Sequence, residues 1–141
     1  MNLLLVFTMG LTALASNPPT SASEEKQVTQ CVEQFVIGAD QQDQTAIASV
    51  LHDHFRVMLN PGNDEVQMIS KDQYLSLIEE KKIGGTPRTL SIDQVDVFGA
   101  KTAKVKAQLS SDKMTFYSYY SLMKVNGDWQ IVQDLLHITS K

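Results

Sequence analysis

From residue 88 to residue 138 the chain reads as four strands in a row, roughly 88–98, 102–110, 114–125 and 129–138, with only short turns between them. Gly99 and "SSDK" mark the first two turns, and Asn126-Gly127 marks the third with the strongest short hairpin signal. Strands joined this tightly lie antiparallel beside one another, so the stretch is a meander. Strand 102–110 alternates without error. Ala103, Val105, Ala107 and Leu109 face one way and Lys104, Lys106 and Gln108 the other, the pattern of a strand with one wet face. Strand 88–98 breaks parity: Leu90 and Ile92 share a face, yet Val95 and Val97 fall on the opposite one. That one-residue slip predicts a β-bulge, which bends and twists a strand. The expected sheet is long and sharply curved.

Strand 114–125, "MTFYSYYSLMKV", is greasy on both sides. Phe116, Tyr120 and Leu122 point one way, and Tyr117, Tyr119, Met123 and Val125 the other. The helices that precede the meander account for one of these faces. Val28, Cys31, Val32, Phe35, Val36 and Ala39 recur at helical spacing, with Ser21 and Glu24, or Ser23 alone, to cap the start. Ala46, Ile47, Val50 and Leu51 mark a short second helix behind Asp43 as N-cap. "FRVMLNPGNDEVQMIS" (55–70) reads as a strand, a turn and a returning strand. A third helix is expected over 70–85, opened by an S-x-x-Q capping box at Ser70 and Gln73. Tyr74, Leu75, Leu77 and Ile78 supply its buried side, Lys81 and Lys82 its last turn, and Gly84 or Gly85 its end.

The fold expected is therefore α+β: a cone-shaped barrel of strongly curved antiparallel sheet wrapped around three helices from the N-terminal half, with a cavity between. Helices this few and this early cannot cover the convex face. Leaving its large apolar groups in water forgoes roughly 1.5–3 kcal/mol each. The expectation is a homodimer through the convex face of strands 114–125 and 129–138, with isologous symmetry.

The chain has 141 residues and a formal charge of −4, with its lysines spread among acids. No basic face is available for nucleic acid. The first charged side chain is Glu24; before it, "MNLLLVFTMGLTALAS" is an apolar run ending in the A-x-A-like Ala13-Leu14-Ala15. Residues 1–15 read as a signal peptide, too short to span a bilayer, although no Lys or Arg precedes the run. A secreted or periplasmic location follows, with 16–23 as linker and 24–141 as one domain. No cysteine follows the run to carry a lipid, so no membrane anchor is expected. Cys31 is the sole cysteine; it lies on the apolar stripe of the first helix and reads as buried filler.

Candidate chemistry is sparse. His52-Asp53-His54 is the densest polar cluster; if extended, both imidazoles share one side of the chain and suit acid/base work or, with His137, a metal. A helix-ending loop with one His packed and one solvated accounts for the same residues, and no metal is assigned. Asp134 sits in "WQIVQDLLHI". Strict alternation puts it with Val132 and Leu136, opposite Trp129, Ile131, Gln133, Leu135 and His137. Buried there, its carboxyl would have the raised pKa that a general base requires. Tyr74, Phe116, Tyr117, Tyr119 and Tyr120 are candidate walls for a flat ligand, with Trp129 expected in the core. Arg88, beyond Gly-Gly-Thr-Pro, is placed to hold an anionic group at the rim. The glycines of "GAD" and "GGTP" are turn or cap residues rather than phosphate cradles, and no cofactor is implied.

Four stretches carry a resemblance: "DQTAIASVLHDHF" (43–55), "SKDQYLSLIEEK" (70–81), "TAKVKAQL" (102–109) and "FYSYYSLMKVNGDWQIV" (116–132). The chain resembles the nuclear-transport-factor-2-like superfamily, which includes SnoaL-like polyketide cyclases and ketosteroid isomerase. It is most similar to the small proteins called "putative lumazine-binding". The likeness covers residues 27–138. It departs at His52-Asp53-His54, where relatives often read His-Pro-Asp, and the Tyr and Asp pair of ketosteroid isomerase has no counterpart by position. The resemblance implies a domain that binds a small, partly apolar or aromatic molecule in its conical cavity. Its alternative is an isomerase, cyclase or dehydratase moving a proton next to a carbonyl, with Asp134 or a histidine of 52–54 as base and Tyr119 or Tyr120 as donor.

Overall fold

Asp43 and Ser70 do what their spacing predicts. In the computed structural model, which describes residues 21–141, Asp43 accepts from the Ala46 amide to start one helix. Ser70 and Gln73 close a reciprocal capping box that starts another. Three helices and six strands follow in the expected order: α1 (Ser21–Asp40), α2 (Gln44–Val50), β1 (Leu51–Leu59), β2 (Gln67–Ser70), α3 (Lys71–Glu79), β3 (Thr89–Phe98), β4 (Thr102–Ser110), β5 (Met114–Val125) and β6 (Asp128–Ser140). The apolar run 1–15 and linker residues 16–20 lie outside the described residues. Ser21–Ser23, expected in the linker, already form the first turn of α1. The third helix is shorter than expected: Lys81 has a left-handed φ of 57°, so Lys81 and Lys82 fall beyond its end.

The sheet runs β2-β1-β6-β5-β4-β3. The meander is antiparallel throughout, and β1 joins it parallel to β6. Its bends come from residues that outnumber their partners. Asp93 is the extra residue in β3, between the Ile92 and Gln94 pairs, where the parity break predicts it. A second bulge was not legible: Leu122 pairs with Ile131 and Ser121 with Gln133, which leaves Val132 unpaired in β6. This slip overturns the strict alternation expected there. Trp129 and Ile131 lie buried on the same inner face as Asp134, while Gln133, Leu135 and His137 face outward.

All six stripe residues of α1 are buried, packed with Ile47, Phe55, Ile78, Val105, Tyr120, Leu122 and Ile131. Cys31 is in this core, its thiol against the Trp129 carbonyl at 3.4 Å and pushed up to about 12 by burial, which removes thiolate chemistry at ordinary pH. Gly84 brings the chain back from α3 onto α1 with a φ of +75°; a Cβ there would run into the Ala39 carbonyl oxygen. The adjacent Gly85 amide donates to that same carbonyl at 3.1 Å. This contact holds the 83–88 loop over one end of the cone.

Candidate functional site

A cavity of about 580 Å³ opens between the concave sheet and the helices. Its size falls within the range of about 300–1,000 Å³ common for small-molecule sites. Phe35 from α1, Tyr74 from α3 and Phe116 and Tyr120 from β5 supply aromatic wall, and Val57 and Leu136 fill between them. Phe35 is the hub, with its ring centroid 5.5 Å from that of Tyr74 and 6.0 Å from that of Tyr120. Exposed Thr86 and the Asp112-Lys113 turn lie at the rim.

Two polar groups in the lining are both buried and unpartnered among the described residues. Asp134 is cross-strand partner to Tyr120, and Ser118 lies one step along the same inner face of β5, so the two are diagonal neighbours. Both line the cavity and both are buried, at 5% and 1% exposure. Neither Asp134 Oδ1 nor Ser118 Oγ has a hydrogen-bond partner among the described residues. Burial pushes the Asp134 carboxyl from its ordinary 3.8 up to about 7, with the Ser118 hydroxyl and the positive charge of Arg88 pulling weakly the other way. The hydroxyl is thus near enough to be felt, without completing a hydrogen bond of good geometry. Burial likewise raises the phenols of Tyr74 and Tyr120, and the Asp134 charge adds to both. Those phenols stay protonated and can only donate or accept hydrogen bonds.

Arg88 lines the cavity as expected, but its Nε and its backbone amide are already engaged. Its Nε donates to Asp40 Oδ1 at 2.6 Å and its backbone amide to Asp40 Oδ2 at 2.9 Å, at the C-terminal end of α1. The guanidinium also sits 5.0 Å over the Phe116 ring. The rim anion expected of Arg88 has been supplied by the protein itself.

The structure therefore brings together Asp134, Tyr74, Phe116, Tyr120 and Arg88. It separates the others. Tyr117 and Tyr119 point out from the convex face, 44% and 49% exposed, because β5 keeps strict alternation and Phe116, Ser118 and Tyr120 hold the inner parity. His52 and His54 are in neither a loop nor the cavity. They lie in β1 where residues 52–55 bulge from the ladder with β6, between the Leu51 and Arg56 pairs. The His54 amide donates to His52 Nδ1 at 3.0 Å, the ring centroids are 5.1 Å apart, and neither lines the cavity. His137 stands on the outer face, stacked on Tyr117 at 6.2 Å. Among the described residues no group of three metal-ligating side chains forms, and no helix is long and apolar enough to cross a membrane.

Ser118 and Asp40 are the site residues that the sequence reading missed. Ser118 was within reach, since it shares parity with Phe116 and Tyr120. Asp40 was not, because its partner lies 48 positions away.

Comparison with known proteins agrees with this architecture. A family model described as "Putative lumazine-binding" matches residues 23–137. Among curated proteins nothing matches. Similar solved structures include a nuclear-transport-factor-2-like protein of unknown function from Silicibacter pomeroyi, at 21% identity and TM-score 0.74, covering 85% of this chain and 99% of that one. A ketosteroid isomerase-like protein from Erwinia carotovora atroseptica aligns at 16% identity and TM-score 0.70, covering 84% and 98%. A protein of unknown function with a cystatin-like fold from Nostoc punctiforme aligns at 10% identity and TM-score 0.64, covering 85% and 93%. At these identities the structural matches establish the shared fold alone.

Proposed function

The chain belongs to the "Putative lumazine-binding" family within the nuclear-transport-factor-2-like superfamily, and from that premise we propose that it is a binding domain holding one small, flat, partly apolar ligand in its conical cavity. The observation that carries the reading is the cavity of about 580 Å³, aromatic on its walls and furnished with two buried polar atoms that no group among the described residues satisfies. Buried polar groups in folded proteins nearly always have partners. A ligand that supplies them explains why these do not. The signal-like run at 1–15 supports export to the periplasm or beyond, and the exposed Tyr117, Tyr119, Met123 and Leu135 on one outer face support a homodimer through it.

Native mass spectrometry of the protein purified from its own cell envelope tests all three parts. The expected spectrum shows a dimer of the chain lacking its first residues, carrying a small organic molecule released on activation. Protein that carries nothing and takes up no aromatic probe would overturn the binding reading. A clean monomer at micromolar concentration in light scattering would overturn the dimer.

One observation favours a second reading, an enzyme of the same fold. A buried carboxyl pushed up to about 7 has the proton affinity of a general base, and Tyr120 is its cross-strand neighbour. In that case Asp134 takes a proton next to a substrate carbonyl and Tyr120 donates to the oxygen. Binding is favoured because it needs nothing beyond the cavity and its two unsatisfied groups.

A further inference from the structure

Exposure along the cavity lining is uneven, and it locates the mouth. Gly84, Thr86, Asp112, Lys113 and Ile138 are the exposed lining residues, and the others are buried or half-buried. They belong to the 83–88 loop, the β4–β5 turn and the end of β6. Strand pairing brings these three segments together, since Thr89 faces Ser110 and Phe116 faces Ile138. Arg88 stands in this opening. Its side chain is 16% exposed, lines the cavity and lays its guanidinium 5.0 Å over the Phe116 ring.

Two separate sets of bonds tie this loop to the end of α1. Residues 83–85 are held by the Gly85 amide on the Ala39 carbonyl at 3.1 Å and by Gln42 Nε2 on the Ile83 carbonyl at 3.0 Å. Arg88 is held by one carboxylate. Asp40 Oδ1 takes its Nε and Oδ2 its backbone amide, and both side chains of the pair are largely enclosed, Asp40 at 13% exposure. Loss of that carboxylate therefore frees the Arg88 side chain while residues 83–85 stay attached.

Resting on the binding reading above, we propose that the Arg88 side chain is the gate of the cavity and that Asp40 is the latch holding it shut. A ligand enters and leaves when the guanidinium gives up Asp40 and turns out to water, which uncovers Phe116. The closed state is favoured because a charge-assisted bond between two enclosed groups is strong and little screened. Opening stays accessible because the long arginine stem lets its charged head reach solvent without moving the backbone.

A latch has a kinetic signature that a wall lacks. It biases opening alike with and without ligand, so weakening it raises the entry and exit rates together and leaves affinity nearly unchanged. Loss of a wall contact raises the exit rate alone, and affinity falls with it.

Stopped-flow fluorescence with N-phenyl-1-naphthylamine, an uncharged aromatic probe, tests this in the full chain. Asp40→Asn keeps the shape of the latch and removes its charge. It should raise the association and dissociation rates of the probe together by about tenfold, the effect of losing a hydrogen bond between charged groups. Arg88→Gln should do the same, and the double variant should be no faster than the faster single one, because both substitutions undo one contact. Arg88→Lys keeps the charge without the Nε donor; it should also speed both rates, and it serves if a neutral variant fails to fold. Rates unchanged in the folded variants, or a faster dissociation matched by an equal loss of affinity, overturns the gate and leaves the binding reading intact. No uptake of the probe by the parent overturns both.

Discussion

Among the described residues two carboxylates are buried against the β5–β6 hairpin, Glu24 beside its turn and Asp134 midway along it, and they have opposite fates. Glu24, in the first turn of α1, takes Lys124 Nζ on one oxygen and Trp129 Nε1 on the other, each at 2.7 Å, and these bonds hold its pKa below the ordinary value. Asp134, five residues beyond that tryptophan, has an oxygen with no partner and a carboxyl pushed up to about 7. The difference shows that burial of an acid says little until its partners are counted. The satisfied carboxylate ties α1 to the β5–β6 turn and belongs to the fold. The unsatisfied one lines the cavity, where the proposed function gives it a ligand as partner.

The largest effect that could break this contrast is at the satisfied end. Trp129→Ala removes a core ring and one of the two donors to Glu24, and should cost about 3–5 kcal/mol, read as a lowered urea midpoint. A variant as stable as the parent would mean that this end is not structural.

Asp134→Asn should act in the other direction, and with pH. The folded protein keeps the Asp134 proton up to about pH 7, whereas the unfolded chain releases it near 3.8. The folded state therefore binds more protons in that window, and stability falls as pH rises through it, by on the order of 4 kcal/mol at most. Asparagine does not ionise. The variant should be more stable than the parent at pH 8, with the gap closing toward pH 4 in denaturant titrations. An unchanged or reversed gap would show that the carboxylate is satisfied after all.

Smaller effects sharpen the contrast. Ser118→Ala deletes a buried hydroxyl that bonds nothing in the ligand-free protein, and should stabilise it by roughly 1 kcal/mol in thermal melts. Destabilisation by a similar amount would mean that the hydroxyl has a partner. Glu24→Gln should lower stability at neutral pH and close the gap to the parent in acid. The parent's Glu24 contributes stability above its ordinary value of 4.5 that is lost as pH falls through its lower folded value. The glutamine variant should lack that loss when unfolding is followed below pH 4.5.

Most of the architecture was legible in the sequence, and the failures share a cause. The Asp93 bulge shows because the residues around it alternate cleanly: Leu90 and Ile92 on one parity, Val95 and Val97 on the other. The Val132 bulge does not show, because the bulged residue is itself apolar and "WQIVQDLL" reads equally well in either register. That single slip decides that Asp134 shares a face with Trp129 and Ile131. Glu24 was equally hidden, standing beside Glu25 and Lys26 like any solvated first turn while its partners lie 100 and 105 positions away. Tyr117 and Tyr119 were on the outer parity from the start. Their aromatic character suggested cavity walls, but a phenol with an apolar body and a polar tip tolerates half-exposure on an outer face. Alternation was the better guide than residue type.

The contrast between the two acids comes down to one titration. In ligand-free protein, the side-chain carboxyl carbon of Asp134 can be followed by NMR across pH 3–9, with Asp134→Asn to assign the signal. A midpoint near 7 is the result expected of a buried carboxyl left without a partner. A midpoint at or below the ordinary 3.8 would mean that the protein already satisfies this group, and that the cavity holds no waiting polar site.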